Sequence, residues 1–288
     1  MNDYVIYTDS ACDIRPELLK DWGISYSLLT FQFEGENKEY SNEDMGIDIF
    51  YNRMRVGDVA RTSAINPDTF SSAFEKILKT GKDVLYLGFS SGLSTTYNSA
   101  RIAAEELLTN YPDRKIITVD TLSASAGQGL MLYLVSEKKK AGATIEEAAA
   151  YAEEIRPKLC HWFTPDSLTY LKRGGRVSPT VAFVGTVLGI KPILHVDDNG
   201  KLINVSKVRG RKASLDALVS KYGELAEDKK NGTVFICQAD CLDDAHYIES
   251  EIKSKYGADV KVITDIGPVI GAHAGPGTIA VFFIGKER

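Results

Sequence analysis

The residues best equipped for chemistry lie in hydroxyl-rich and glycine-rich stretches. Val84-Leu-Tyr-Leu-Gly-Phe-Ser-Ser-Gly-Leu-Ser-Thr-Thr-Tyr-Asn-Ser-Ala100 passes from an apolar strand pattern through a Gly/Ser segment into a helical one. Backbone N–H groups at such a helix start, with the hydroxyls of Ser90, Ser91, Ser94, Thr95 and Thr96 beside them, suit an anion. One cap needs one hydroxyl, so the surplus favours a ligand over capping alone. Gly88-Phe-Ser-Ser-Gly92 also fits the nucleophile-elbow pattern G-x-S-x-G, which would make Ser90 a nucleophile served by His273, with Asp240 or Asp265 as the orienting acid. That pattern is permissive in a Gly/Ser segment, so anion binding leads and ester hydrolysis is its rival.

Two further polar stretches are Arg61-Thr-Ser-Ala-Ile-Asn-Pro67 and Tyr7-Thr-Asp-Ser-Ala-Cys-Asp13. Both follow strand-like runs, which predicts one convergent rim beyond the carboxyl ends of a sheet. Asp9 and Asp13 lack a third carboxylate nearby, so turn and cap roles suit them better than a metal. Gly267-Pro-Val-Ile-Gly-Ala-His-Ala-Gly-Pro-Gly277 reads as a loop whose glycines allow close approach to a ligand around His273. His161, His195 and His246 have no comparable setting, and no zinc spacing occurs. Basic clusters at Lys172-Arg-Gly-Gly-Arg176 and Lys207-Val-Arg-Gly-Arg-Lys212 fit a solvated face, a phosphate or an acidic partner surface. No P-loop is present, and Gly127-Gln-Gly129 lacks the third glycine of a dinucleotide fingerprint, so no nucleotide cofactor is expected.

The elements that must position these residues change character along the chain. Tyr4 to Tyr7, Val84 to Leu87 and Ile116 to Val119 are short β-type runs. The last two are separated by Thr95 to Asn110, where Ala100, Ala103, Ala104, Leu107 and Leu108 recur at helical spacing. That alternation predicts a mostly parallel α/β domain over 1–156 carrying the hydroxyl-rich segments. Asn66-Pro67 and the capping box Thr144-Ile-Glu-Glu147 mark helix starts. Beyond Pro157, Lys191 to Val196 and Leu202 to Val208 flank Asn199-Gly200, a hairpin signal. Helical patterns at Ala213 to Leu225 and Asp243 to Lys255 then alternate with β-type runs at Val234 to Cys237, Val260 to Thr264 and Thr278 to Ile284. A second, α+β domain with a partly antiparallel sheet is predicted over 157–288, with a ligand cleft between the two.

Composition narrows the function classes. The 288 residues are 44% hydrophobic and 25% charged, which is ordinary for a globular protein and excludes a disordered or fibrous chain. A formal charge of −5 gives no bulk attraction for nucleic acid. Four cysteines, with Cys237 and Cys241 spaced C-x3-C, suit reduced packed thiols better than a disulfide frame. The first residues lack a basic leader, and Ile266 to Gly285, although uncharged, is broken by Gly and Pro. A cytoplasmic protein without a membrane span is expected.

Taken together, Thr8-Asp-Ser10 with Asp13, Thr62-Ser63 with Pro67, Phe89-Ser-Ser-Gly-Leu-Ser94 with Thr96-Tyr97, Val119-Asp120, Tyr170-Leu-Lys-Arg-Gly-Gly-Arg176, Lys191-Pro192, Lys207-Val-Arg209 and Gly271-Ala-His-Ala-Gly-Pro-Gly277 resemble the bacterial DegV family across essentially the whole chain. The resemblance implies a two-domain protein holding one long-chain fatty acid, such as palmitate, between its domains. It further implies a non-catalytic subunit of a fatty acid kinase, whose separate kinase subunit phosphorylates the bound carboxylate to an acyl phosphate. Carried over residue by residue, it makes Thr62, Ser94 and His273 carboxylate contacts, with Ser63 and Ser91 as neighbours, and puts Arg173, Arg176 and Arg209 at the cleft or the partner-facing rim. The chain departs from the common pattern at Thr95 and Thr121, where Gly and Ser are expected. No metal or cofactor is implied, and a monomer with at most transient membrane contact is expected.

Physical chemistry agrees with such a ligand. A buried carboxylate needs several donors, which the hydroxyls supply without a metal. About 14 buried methylenes would contribute roughly 11 kcal/mol gross against an association cost of about 4 to 15, so most of the tail must be enclosed. Phe163, Leu168, Phe183, Val184, Val187, Leu188 and Ile193 are predicted tunnel walls, with core packing as the alternative for each. A third reading, a component of a sugar or dihydroxyacetone phosphotransferase, rests on distant fold analogy alone.

Overall fold

The computed structural model describes residues 3–177 and 189–288. Phe183, Val184, Val187 and Leu188, expected in the tunnel wall, lie outside the described residues. The first domain is built on four parallel strands in the order β2-β1-β6-β7, namely β1 (Tyr4–Asp9), β2 (Ile24–Ser27), β6 (Asp83–Gly88) and β7 (Ile116–Asp120). Every residue of β6 is buried, which is why it reads as a continuous apolar run. The crossover helices include α3 (Pro67–Leu78) and α4 (Thr96–Asn110). α3 starts as predicted, with Asn66 Oδ1 accepting from Thr69 N–H at 2.9 Å ahead of Pro67.

The second domain is a six-stranded mixed sheet in the order β10-β9-β8-β13-β11-β12: β8 (Leu159–Thr164), β9 (Ile190–Val196), β10 (Leu202–Arg209), β11 (Val234–Gln238), β12 (Val260–Asp265) and β13 (Ile279–Ile284). Among the described residues, β11 and β12 pair in parallel and the other contacts of this sheet are antiparallel. The predicted hairpin forms, with Val196 opposite Leu202 around the turn. The parallel first sheet and mixed second sheet match the fold class read from the sequence.

Two features were not legible. Residues 30–63 form a small antiparallel sheet, β4 (Tyr40–Ser41), β3 (Thr30–Phe33) and β5 (Ala60–Ser63), so Thr62 and Ser63 end a strand and not a free loop. A helix α5 (Ala126–Lys140) follows β7 and is buried from Ala126 through Leu132 without a solvent face in that stretch. It packs on the first sheet and on β8, β11 and β13 of the second, joining both domains in one core. Its amphipathic successor α6 (Ile145–Ile155) carries both halves of the predicted capping box, between Thr144 and Glu147.

Candidate functional site

A cavity of about 520 Å³ lies between the domains, a size usual for a small-molecule site. All five carboxylate candidates, Thr62, Ser63, Ser91, Ser94 and His273, line it. Thr62 is delivered by β5, which pairs with β3 through Phe31. Ser91 and Ser94 come from the turn between β6 and α4. Two carboxylates hold that turn from beneath: Asp9 accepts from Phe89 N–H at 3.0 Å, and Asp120 accepts from Ser91 N–H at 3.2 Å. The Tyr7 to Asp13 stretch therefore does not reach the rim as expected. It is buried below the rim and supports it, and Asp9 also accepts from Ala11 N–H in a local cap, the role read from the sequence.

The segment expected to be a loop around His273 is instead a seven-residue helix. The later helices among the described residues are α7 (Thr169–Arg173), α8 (Arg211–Leu225), α9 (Leu242–Tyr256) and α10 (Pro268–Ala274). Pro268 at the first helical position and Gly275 after the last explain how a Gly/Pro-rich stretch supports one short helix. His273, in its last turn, faces Thr62, with Nε2 and Oγ1 2.9 Å apart. Gly174, just after α7, makes room for the ring, since a β carbon there would stand 2.1 Å from His273 Nδ1. Burial, reinforced by the positive Arg176, holds the His273 pKa down to about 4, so the imidazole is neutral near pH 7. Arg176 also lines the cavity; its guanidinium donates to the Leu93 carbonyl at 3.3 Å and to Gly174, and burial lowers its pKa.

Ser94 Oγ accepts from Thr96 N–H at 3.2 Å and shares a hydrogen bond with the Thr96 hydroxyl at 2.9 Å, so it opens α4 while facing the cavity. Thr95 adds an exposed side chain on the cavity rim without capping the helix. Thr121 donates to the Gly88 carbonyl at 2.7 Å, a hydrogen bond a serine hydroxyl could also make. The polar end thus combines hydroxyls, a neutral imidazole and one guanidinium, a donor set matched to a carboxylate.

The walls away from this end are largely apolar: Leu29, Phe89, Ile266, Val269, Ile270 and Phe282 among others. Phe163 lines the cavity. Ile193 does not. Leu194, its neighbour on β9, pairs with Phe163 and belongs to the core that both domains share, whereas Ile193 points to the opposite face and packs with Leu215 and Leu218 of α8. Leu168 packs against the shared core without reaching the wall. Arg173 lies over the Tyr170 ring in a separate surface groove with Arg55 and Asp166, and Arg209 is exposed at the end of β10; neither lines the cavity.

The elbow geometry expected of a hydrolase is absent at Ser90. Its hydroxyl is fully buried and donates to the Gly200 carbonyl at 2.8 Å, its backbone is not left-handed, and His273 is engaged by Thr62 instead. Asp240 pairs with Arg55 and Asp265 accepts from Gln238, so neither orients His273.

The wall also contains residues the sequence reading passed over. His161 lines it from β8, with Nδ1 2.9 Å from the Leu159 carbonyl and Nε2 buried without a partner among the described residues. Ser125, at the start of α5, has a left-handed φ of 53° and donates to Asp13. Only the strain at Ser125 and the central position of His161 in a buried strand mark them, and both are tertiary facts without a local sequence signal.

Comparison with known proteins places the chain among relatives of similar length. The family model described as "Uncharacterised protein, DegV family" matches residues 3–286. A DegV domain-containing protein of Clostridium perfringens is 45% identical over 291 residues, covering 100% of this chain and 99% of its own. A DegV lipid binding protein of Thermotoga maritima, 32% identical, superposes with a TM-score of 0.87 and 99% coverage of each chain. A DegV family protein of Thermus thermophilus, described as binding fatty acid, is 28% identical with a TM-score of 0.88, covering 98% of this chain and 99% of its own.

Proposed function

The chain belongs to the DegV family, and from that premise and the cavity we propose that it binds one long-chain fatty acid between domains 1–156 and 157–288. One observation carries the reading: a single cavity has hydroxyls, an imidazole and a guanidinium at one end and apolar walls elsewhere. Thr62, Ser94 and His273 would bind the carboxylate, with Ser63 and Ser91 beside them and Arg176 balancing its charge. The acyl tail would occupy the apolar part, against Phe163, Phe282 and Ile270. The fatty acid and lipid binding described for the Thermus and Thermotoga relatives supports the same ligand class.

The protein would then offer its carboxylate to a separate kinase subunit, where a carboxylate oxygen attacks the donated phosphoryl group to give an acyl phosphate. Exposed Ser91 and Thr95 put the polar end within reach of such a partner, and the family resemblance supplies the reaction. The protein itself would be a non-catalytic carrier that needs no metal or cofactor, acting as a cytoplasmic monomer with at most transient membrane contact. Its cysteines, all free, are in keeping with a reducing compartment.

Native mass spectrometry of the purified protein, followed by denaturation and identification of what is released, tests the ligand. One fatty acid per chain is expected. A protein that is empty and takes up neither palmitate nor oleate would refute the reading.

A further inference from the structure

The helix that carries His273 cannot cap its own N-terminus. α10 starts from Gly267, which has no side chain to offer, and the first turn is instead satisfied by the other domain. Asp13 Oδ1 accepts from Gly267 N–H at 3.0 Å, Asn42 Oδ1 accepts from Val269 N–H at 3.2 Å, and the Tyr51 hydroxyl donates to the Ile266 carbonyl at 2.7 Å. The fit is close: a β carbon on Gly267 would stand 2.7 Å from both Asp13 Oδ1 and Asn42 Nδ2.

Asp13 is the most constrained of the three. It is 7% exposed, its φ is 52°, and its other carboxyl oxygen accepts from Ser125 Oγ at 2.5 Å. Its backbone carbonyl accepts from Thr264 Oγ1 at 2.8 Å, at the end of the strand leading to α10. No ion pair neutralises it among the described residues, so this geometry is kept without a countercharge. Because α10 spans only about 10 Å at 1.5 Å per residue, a tilt of a few degrees at Gly267 displaces His273 by roughly half an ångström. That stretches the 2.9 Å contact with Thr62 toward the limit of a hydrogen bond and weakens it.

We infer that Asp13 is a positioning residue for the carboxylate site, capping α10 from across the domain interface and so holding His273 against Thr62. This rests on the fatty-acid reading above and adds to it a residue that lies off the cavity wall. The test compares Asp13→Ala, Asp13→Asn and Asn42→Ala by palmitate affinity and by the imidazole ¹⁵N resonances of His273. Asp13→Ala should bind palmitate about tenfold more weakly, the scale of one lost cap, and shift the His273 resonances. Asp13→Asn, which can still accept from Gly267, should restore affinity to within about threefold, and Asn42→Ala should move both readouts the same way as Asp13→Ala but less. A folded Asp13→Ala with wild-type affinity and unchanged His273 resonances overturns the inference. Should Asp13→Ala fail to fold, unchanged readouts in Asn42→Ala overturn it equally. If the wild type takes up no palmitate, the ligand reading fails, while the His273 resonances still decide whether the cap positions the ring.

Discussion

Thr62 and His273 join the two domains at the polar end of the cavity, with 2.9 Å between Oγ1 and Nε2. Thr62→Val keeps the shape and the strand preference of the residue but removes the hydroxyl. Hydrogen bonds to charged groups contribute about 1.5 to 3 kcal/mol, so fatty-acid affinity should fall about tenfold to a hundredfold with little change in the unfolding midpoint. A competition assay with a fluorescent fatty acid measures this, and unchanged affinity would remove Thr62 from the site. His161 makes a different prediction, about protons. Its Nδ1–H must donate to the Leu159 carbonyl, and burial, with Arg288 adding to it, pushes its pKa well below the ordinary 6.5. Below pH 6.5 the unfolded chain binds a proton there that the folded chain refuses, so this group's contribution to stability is lost as pH falls. The slope approaches about 1.4 kcal/mol per pH unit. Buried Asp9 and Asp13, with raised pKa values, act in the opposite sense. The difference between wild type and His161→Leu cancels them. Urea unfolding should show wild type losing about 1 to 2 kcal/mol relative to the variant between pH 7 and pH 5; a difference that does not change with pH would mean the folded ring takes up its proton at the same pH as the unfolded one.

Elements differ in how far local chemistry determines them. α6 and the β9–β10 hairpin were legible because a capping box and an Asn-Gly turn are complete within a few residues. α10 reads as a loop in the sequence because its cap lies in another domain and the stretch is rich in Gly and Pro. Whether Ile193 faces the tunnel or the core is hidden in the sequence by consecutive apolar residues on β9; the pairing of Leu194 with Phe163 puts Ile193 on the core face. α5 escaped notice for a third reason. Its first two turns, buried on every side, show no amphipathic period, and the first contains Gly127 and Gly129. Those glycines are explained by what they touch. A β carbon on Gly127 would lie 2.3 Å from His161 Nε2 and 2.8 Å from the Phe282 ring, both in the second sheet. In an exposed helix, Gly→Ala stabilises by about 1 kcal/mol. Here the sign should reverse, with Gly127→Ala costing about 1 to 3 kcal/mol through overpacking. Chemical denaturation decides it, and a stabilised variant would mean that α5 and β8 are less tightly apposed than the geometry says.

At the scale of the whole molecule, the two domains share a core, a helix and a cavity, which sets how they must unfold. α5 packs against both sheets, and Arg288 adds a polar clasp, donating to the carbonyls of Leu122 in the first domain and of Leu159 and Asp197 in the second. The β9–β10 turn also docks on the first domain through the bond from Ser90 to Gly200. Separating the domains would expose the apolar faces of α5 and leave these buried polar groups unpaired, so neither half should persist alone. A single calorimetric transition with equal van't Hoff and calorimetric enthalpies is therefore expected. Because the cavity is walled by both domains, a bound fatty acid should raise that one transition without splitting it. At a free concentration 100 times Kd the gain is about 2.7 kcal/mol, roughly 5 °C for a chain of this size. Two transitions, with only one moved by palmitate, would show that the ligand belongs to a single domain and that the interface geometry does not govern binding.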